Sequence, residues 1–391
     1  MPWKEVKPME QRVLFVADWI NEIYSFSELC QRYGVSRKTG YKWIKRFRQS
    51  SFDGLNEVSR KPGHSPAQTP YPIKQAIIEC RQRGRMILGP KKIQVLLQQR
   101  FPSERPPSKT TIYKILNSAG MVEPRRRKRR VAPFPQPFSA VEEVNDVWSA
   151  DYKGQFRLQD KKWCYPLTVM DHQSRYLLGC QALDGPRFTE TQCAFRRLFQ
   201  EYGLPKRIRT DNGVPFASTT VAGLSRLAIW WIKLGILPER IEPGKPQQNG
   251  RHERMHRTLK QAATKPPAKD RQEQQLCFDQ FVQQYNQERP HESLEQKTPA
   301  SQYRSSPRVY TDTPDELTYP GYFKTRTVQT NGTINCRQYM IYVGGVLEGQ
   351  RVGLCETDEG LWDVYFGSVL IGRYNERDAQ KKSVSYLTLK V

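Results

Sequence analysis

The sequence changes period near residue 145, and the new period leaves few folds open. VWSADYKGQFRL (147–158), KWCYPLTVMD (162–171) and RYLLGCQAL (175–183) are three β-rich runs separated by short turns, the signature of an antiparallel meander. Residues 189–202 then read as a helix with Cys193, Phe195, Leu198 and Phe199 inward. PKRIRTD (205–211) is a short strand, 219–235 a second helix, ILPERIEP a short extended piece and 247–263 a polar helix.

That order, βββ-α-β-α-(β)-α, is the order of a ribonuclease-H-like α/β core. In such a sheet the first and fourth strands lie side by side, so acids on them point to one edge. Asp151 sits in the first run and Asp211 at the end of the fourth, and Glu253 on the later helix can lay a third carboxylate across that edge. Each acid alone is an ordinary turn or surface residue; the force lies in their order. Three hard oxygen ligands with no imidazole or thiolate suit Mg²⁺ or Mn²⁺. Two such ions per site, about 3.5–4 Å apart, activate a nucleophile and stabilise a leaving 3′-oxygen. Without them, crowded carboxylates raise one another's pKa. On the same helix, Asn249, Glu253, His256 or Arg257, and Lys260 fall on one face by their spacing, and Asn249, Arg257 and Lys260 are expected to contact DNA. Asp171, which follows the second strand, reads as a turn or structural residue.

The DNA expectation comes from charge. The 391 residues include 63 Lys/Arg and 39 Asp/Glu, a net charge of +24. Residues 1–140 hold 28 Lys/Arg against 10 Asp/Glu, a net of +18, while the remainder holds 35 against 29, a net of +6. Such a surplus points to a polyanionic partner. In FSELCQRYGVSRKTGYKWIKRF (26–47), Gly34 ends one short helix and Ser36 caps another. This is a helix-turn-helix pattern, whose second helix presents Arg37, Lys38, Thr39, Lys42 and Lys45 to base edges and phosphates; the bland alternative is a helical hairpin with a solvated face. Residues 71–120 repeat the theme. Ile73, Ala76 and Ile77 mark one helix, and Ile93, Leu96 and Leu97 a second. A third, capped by Ser108, opens with Lys109 and Thr110 and carries Ile112 and Leu116. The run Arg125, Arg126, Arg127, Lys128, Arg129, Arg130 cannot pack in a core. It is read as a linker that touches phosphates, with a nuclear-localisation role left open.

From about residue 320 the chain returns to β, with an Asn331-Gly332 hairpin turn and alternation in CRQYMIYV. A small all-β barrel is expected, serving DNA contact or protein interaction. The expected architecture is therefore multidomain: helix-turn-helix domains at 1–55 and 70–122, a basic linker at 123–140, the catalytic core at 141–306 and the barrel at 318–391. The 8 Cys are scattered without a CxxC pair, and the 5 His do not join them at zinc-ligand spacing. No apolar run approaches the roughly 18 residues of a membrane span, and the N-terminus lacks a signal-peptide core. A cytoplasmic, nucleoid-associated chain is expected.

At WSADYKG, MDHQSRY, TDNG, PQQNGRHERMHRTLK and YNQERPHESLEQKTPASQY, the stretch 145–304 resembles the integrase core of retroviral-integrase-like DDE transposases from bacterial insertion sequences. With the upstream helix-turn-helix pair, the resemblance covers about residues 20–305. It implies a metal-dependent recombinase that cuts double-stranded DNA at element ends and joins the 3′-OH to target DNA. Joining two ends implies a homodimer or higher oligomer on DNA. One departure stands out. Between Asp211 and Glu253 lie 41 residues, more than the family's usual pattern, which would place the acid at Gln247. The NGRHER motif favours Glu253 over its rival Glu242, with an insertion in 221–240. Two other readings remain: a non-catalytic DNA-binding regulator with the same fold, and a nuclease acting on RNA–DNA hybrids.

Overall fold

The computed structural model describes residues 8–57, 68–83, 86–122, 141–218, 223–242, 246–378 and 384–387. They divide into two units, Met1–Gln68 and Thr69–Val391. In the first unit, α1 (Pro8–Ile20), α2 (Phe26–Arg32) and α3 (Arg37–Ser50) enclose Phe15, Val16, Leu29, Cys30, Ile44 and Leu55. Local chemistry sets the bounds. Ser25 and Glu28 form a capping box at α2. Gly34 turns the chain at φ +63, and the Ser36 hydroxyl accepts from the Thr39 N–H at 3.2 Å to start α3. α2 and α3 approach closely at Gly40, where a β-carbon would lie 2.8 Å from Cys30 Sγ.

The second unit opens with α4 (Tyr71–Gln82), α5 (Pro90–Arg100) and α6 (Lys109–Ser118), packed on Ile73, Ala76, Ile77, Ile93, Leu97, Ile112 and Leu116. Ser108 caps α6 through the Thr111 N–H, and Gly120 turns out of it at φ +69. α5 is fastened to the core, since Lys91 pairs with Glu292 and Lys92 donates to the Pro290 carbonyl. Residues 125–130 lie outside the described residues.

The core follows as β1 (Val147–Tyr152), β2 (Phe156–Arg157), β3 (Trp163–Asp171), β4 (Leu177–Leu183), α7 (Phe188–Tyr202), β5 (Arg207–Thr210), α8 (Arg226–Lys233), β6 (Leu237–Arg240), α9 (Gly250–Ala263) and α10 (Arg271–Gln287). The meander forms: β3 pairs antiparallel with β1 and β4, and β5 joins β1 and β6 in parallel. β2 prolongs the β1 pairing along β3 after a one-residue slip, from Tyr152↔Leu167 to Phe156↔Cys164. One sheet face packs Trp148, Ala150, Leu167 and Val169 on Phe195, Phe199 and Trp231 of α7 and α8. The other packs Met170, Leu177 and Cys180 on Met255 and Leu259 of α9 and Phe278 and Phe281 of α10. The phase of α7 differs from expectation at one position. Cys193 is exposed and Ala194 is buried, because the sheet meets the stripe 191-194-195-199.

The C-terminal strands are β7 (Lys324–Thr327), β8 (Thr333–Cys336), β9 (Tyr339–Tyr342), β10 (Arg351–Asp358), β11 (Leu361–Phe366), β12 (Val369–Asn375) and β13 (Val384–Tyr386). They do not close into the expected barrel. They form two sheets, β12-β11-β10-β7 and β13-β9-β8. Asn331-Gly332 makes its turn, with Gly332 at φ +75 and its N–H on the Gln329 carbonyl, but the flanking strands pair elsewhere, β7 with β10 and β8 with β9. Closure is unnecessary because α8 covers the interior: Ala228, Ile229 and Ile232 share one core with Ile334, Ile341, Val352, Trp362 and Phe366. Among the described residues, no helix is long and apolar enough to cross a membrane.

Candidate metal centre

Strand alternation builds the floor of the site. Trp148 and Ala150 point into the α7 core, so Ser149 and Asp151 take the opposite face of β1. The antiparallel register sets Asp151 across from Thr168 on β3. The parallel register pairs Val147 with Arg207 and Ser149 with Arg209. Carried on at the same offset, it brings Asp151 level with Asp211, the residue after β5. Asp211 Oδ1 accepts from the Gly213 N–H at 3.1 Å. A β-carbon at 213 would press within 3.1 Å of Asp211 Oδ2, so glycine leaves that carboxylate its space. Asn212 Nδ2 donates to the Ile241 carbonyl at 2.7 Å and fastens this turn to the chain after β6.

Asn249 precedes α9. Expected to contact DNA, it is buried in the DNA-free chain. Its side chain leaves the helix end uncapped and donates to Asp151 Oδ2 at 3.0 Å. Glu253 stands one turn further along, exposed in the first turn of α9. Burial, then the Asp211 charge, with Glu253 adding to it, push the Asp151 carboxyl up to about 7. A divalent cation relieves that repulsion, so the residues present fit the expected kind of ion.

Two side chains that the oxygen-only ligand set left out line the same floor. His252 and His256 lie one turn apart on the inner face of α9. Thr168 Oγ1 is 2.6 Å from His252 Nε2 and 2.7 Å from His256 Nε2, and it donates to the Asp151 carbonyl at 2.9 Å. His252 Nδ1 is 2.9 Å from Ser149 Oγ, and His256 Nδ1 is 3.8 Å from Asp151 Oδ2. Burial holds both imidazoles neutral, pushed down to about 3 and about 2. Among the described residues, the group whose ligand atoms gather within 4.8 Å is Asp151, His252 and His256. The i, i+4 spacing of the histidines in RHERMHR was the available signal.

The remaining acids are otherwise engaged. The Asp171 carboxylate accepts from the Asn145 N–H, the Ser174 N–H and the Ser174 hydroxyl at 2.8, 2.7 and 2.6 Å, which is structural work at a turn. Glu242 Oε1 accepts from Gln248 Nε2 at 3.0 Å, and Gln248 Oε1 accepts from the Glu242 N–H. Of the cations assigned to DNA, Arg37, Lys38, Lys42 and Lys45 are exposed on α3, Lys109 begins α6 exposed beside Thr110, and Arg257 and Lys260 are exposed on α9. Thr39 is half-buried, with its hydroxyl 2.9 Å from that of Ser36.

Integrase core domain families match residues 141–246 and 234–299. A helix-turn-helix domain family matches 11–63, and a homeodomain-like one matches 39–116. The insertion element IS476 uncharacterized 39.2 kDa protein of Xanthomonas euvesicatoria is 27% identical over 56% of this chain and 60% of its own length. The insertion element IS407 uncharacterized 31.7 kDa protein of Burkholderia multivorans is 26% identical over 52% of this chain and 71% of its own. The chain thus spans about three fifths of the first of these relatives. The solved HTLV-2 integrase catalytic core domain in complex with magnesium aligns with 41% of this chain and 97% of that one, at 18% identity and a TM-score of 0.33.

Proposed function

We propose that this chain, which belongs to the integrase-like transposases of insertion elements, is a metal-dependent recombinase that cuts DNA at element ends and joins the 3′-OH to target DNA. The observation that carries this reading is the Asp151 carboxyl, half-buried on β1, held by Asn249 Nδ2 at 3.0 Å and set level with Asp211 by the parallel register of β1 and β5. In this reading Asp151, Asp211 and Glu253 hold two ions, Mg²⁺ or Mn²⁺. When bound, the ions supply activation of the attacking oxygen and stabilisation of the leaving 3′-oxygen. Asn249 fixes the orientation of Asp151 through its hydrogen bond to Oδ2, and Gly213 keeps the Asp211 carboxylate uncrowded. Arg257 and Lys260, four and seven residues past Glu253, hold the phosphodiester along the exposed face of α9.

Sequence recognition belongs to Arg37, Lys38, Thr39, Lys42 and Lys45 on α3 and to Lys109 and Thr110 on α6, with residues 125–130 neutralising phosphates. The domains divide as 1–55, 70–122, 123–140, 141–306 and 318–391. Two ends need at least two protomers, so a dimer or higher oligomer assembles on DNA in the bacterial cytoplasm.

The test is Asp211→Asn. It is expected to bind labelled end DNA as the wild type does and to lose strand joining in Mg²⁺ by at least about a hundredfold, the equivalent of about 3 kcal/mol of lost charge stabilisation. Joining at the wild-type rate overturns the reading. Failure of the wild type to cleave end DNA under any condition favours a non-catalytic regulator.

A further inference from the structure

Hydrogen-bond accounting around Thr168 assigns the protons on both buried histidines. A hydroxyl has one proton and two lone pairs. Thr168 Oγ1 has three partners: the Asp151 carbonyl at 2.9 Å, His252 Nε2 at 2.6 Å and His256 Nε2 at 2.7 Å. The carbonyl only accepts, so the hydroxyl proton goes there. Both imidazoles must then carry hydrogen on Nε2 and donate into the hydroxyl oxygen, and each neutral ring is left with a bare Nδ1.

The two bare nitrogens have different fates. His252 Nδ1 lies 2.9 Å from the Ser149 hydroxyl, which shares its proton between that nitrogen and the Met170 carbonyl at 3.4 Å. With both nitrogens engaged and none of its surface exposed, His252 is a support. His256 is 7% exposed, and its Nδ1 makes no hydrogen bond among the described residues. It faces Asp151 Oδ2 across 3.8 Å. The two atoms thus face each other at a separation too long for a hydrogen bond. Ligand bonds of about 2.1 Å from each side would span up to about 4.2 Å, so the 3.8 Å gap has room for one ion.

We propose that His256 Nδ1 is a ligand, beside Asp151, of one ion in the centre, which makes that position a mixed nitrogen–oxygen site selective for first-row divalent ions over Mg²⁺. The proposal deepens the reading above and rests on its acidic centre. Imidazole is a borderline ligand suited to first-row transition ions, whereas Mg²⁺ prefers oxygen and keeps its waters. The support is preorganised: Thr168 sets the His256 tautomer and ring orientation in the way a metal-bound histidine is usually fixed through its other nitrogen.

Mn²⁺ is the probe, because its electron spin reports directly bound nitrogen. Pulsed electron paramagnetic resonance on the full chain is expected to show ¹⁴N modulation, replaced by the ¹⁵N pattern when the protein is grown on ¹⁵N-histidine. That readout needs no substitution and no activity. His256→Gln is expected to remove the modulation and weaken Mn²⁺ by at least about tenfold, with Mg²⁺ affinity changed far less. Mn²⁺ bound without histidine ¹⁴N, yet lost in Asp151→Asn, overturns the imidazole ligand and leaves the acid centre standing. Mn²⁺ binding that survives Asp151→Asn unchanged removes the centre and the proposal with it.

Discussion

Asp151 is pulled in opposite directions by its neighbours, and pH reads out the balance. Its folded pKa, about 7, stands above the 3.8 of an ordinary aspartate, chiefly through burial and then through Asp211. Between those values the folded, metal-free chain holds a proton that the unfolded chain has lost. The stability from this group is therefore complete below the unfolded value and is lost as pH rises through the folded one. The metal-free wild type is expected to lose up to a few kcal/mol relative to Asp151→Asn between about pH 5 and about pH 8, since each tenfold difference in proton affinity between the folded and unfolded chain is worth about 1.4 kcal/mol. Thermal melts of both proteins across that range measure it, and added Mn²⁺ or Mg²⁺ should restore the wild type most at the high end. Parallel melting curves at every pH would sink the idea. The positions of Asp151 and Asp211 were legible because strand order and local motif placed them. Asn249 and His256 were not: which face of a polar helix turns inward depends on how it docks, here through Met255 and Leu259 in the core and the Thr168 hydroxyl across the gap.

Secondary elements were legible wherever one periodic face sufficed, and failed where two partners compete for one element. α8 shows the limit. Its sequence RLAIWWIK is apolar nearly all round, which marks a buried helix but does not say between what. Leu227 and Trp231 enter the core beneath the sheet, while Ala228, Ile229 and Ile232 enter the core of the C-terminal strands. That second contact is why alternating strands, read as a closed barrel, stay as two sheets with a helix over their interior. Pairing partners such as β7 with β10 are set by long-range hydrogen bonds that period-2 alternation does not encode. Trp231 has none of its surface exposed and meets the Phe195 ring edge-on at 5.0 Å. Trp231→Ala is expected to cost about 3–5 kcal/mol, and chemical denaturation of the full chain measures it. A loss below about 1 kcal/mol, within the range of a surface change, would show that α8 is not the shared wall described.

At the scale of the whole chain, charge is divided by task. The first 140 residues carry +18 of the net +24, while the Asp151 carboxyl feels the negative charges of Asp211 and Glu253. A chain that neutralises phosphates with many cations releases condensed counterions, so its affinity falls with salt at a slope of about −0.9 per phosphate contact. The six cations at 125–130 are the densest block in the sequence. If each meets one phosphate, replacing all six with Gln flattens the log affinity against log salt slope by about 5. Base-reading cations act differently. Lys42→Ala on α3 should lower affinity for element-end DNA more than for unrelated DNA, since base contacts carry discrimination of about 1–3 kcal/mol per good pair, whereas the Gln block should weaken both alike. Fluorescence anisotropy with end and scrambled duplexes across a salt series separates the two. An unchanged slope in the Gln block would remove residues 125–130 from the interface, and an equal loss on both duplexes for Lys42→Ala would make α3 a phosphate contact and not a reader.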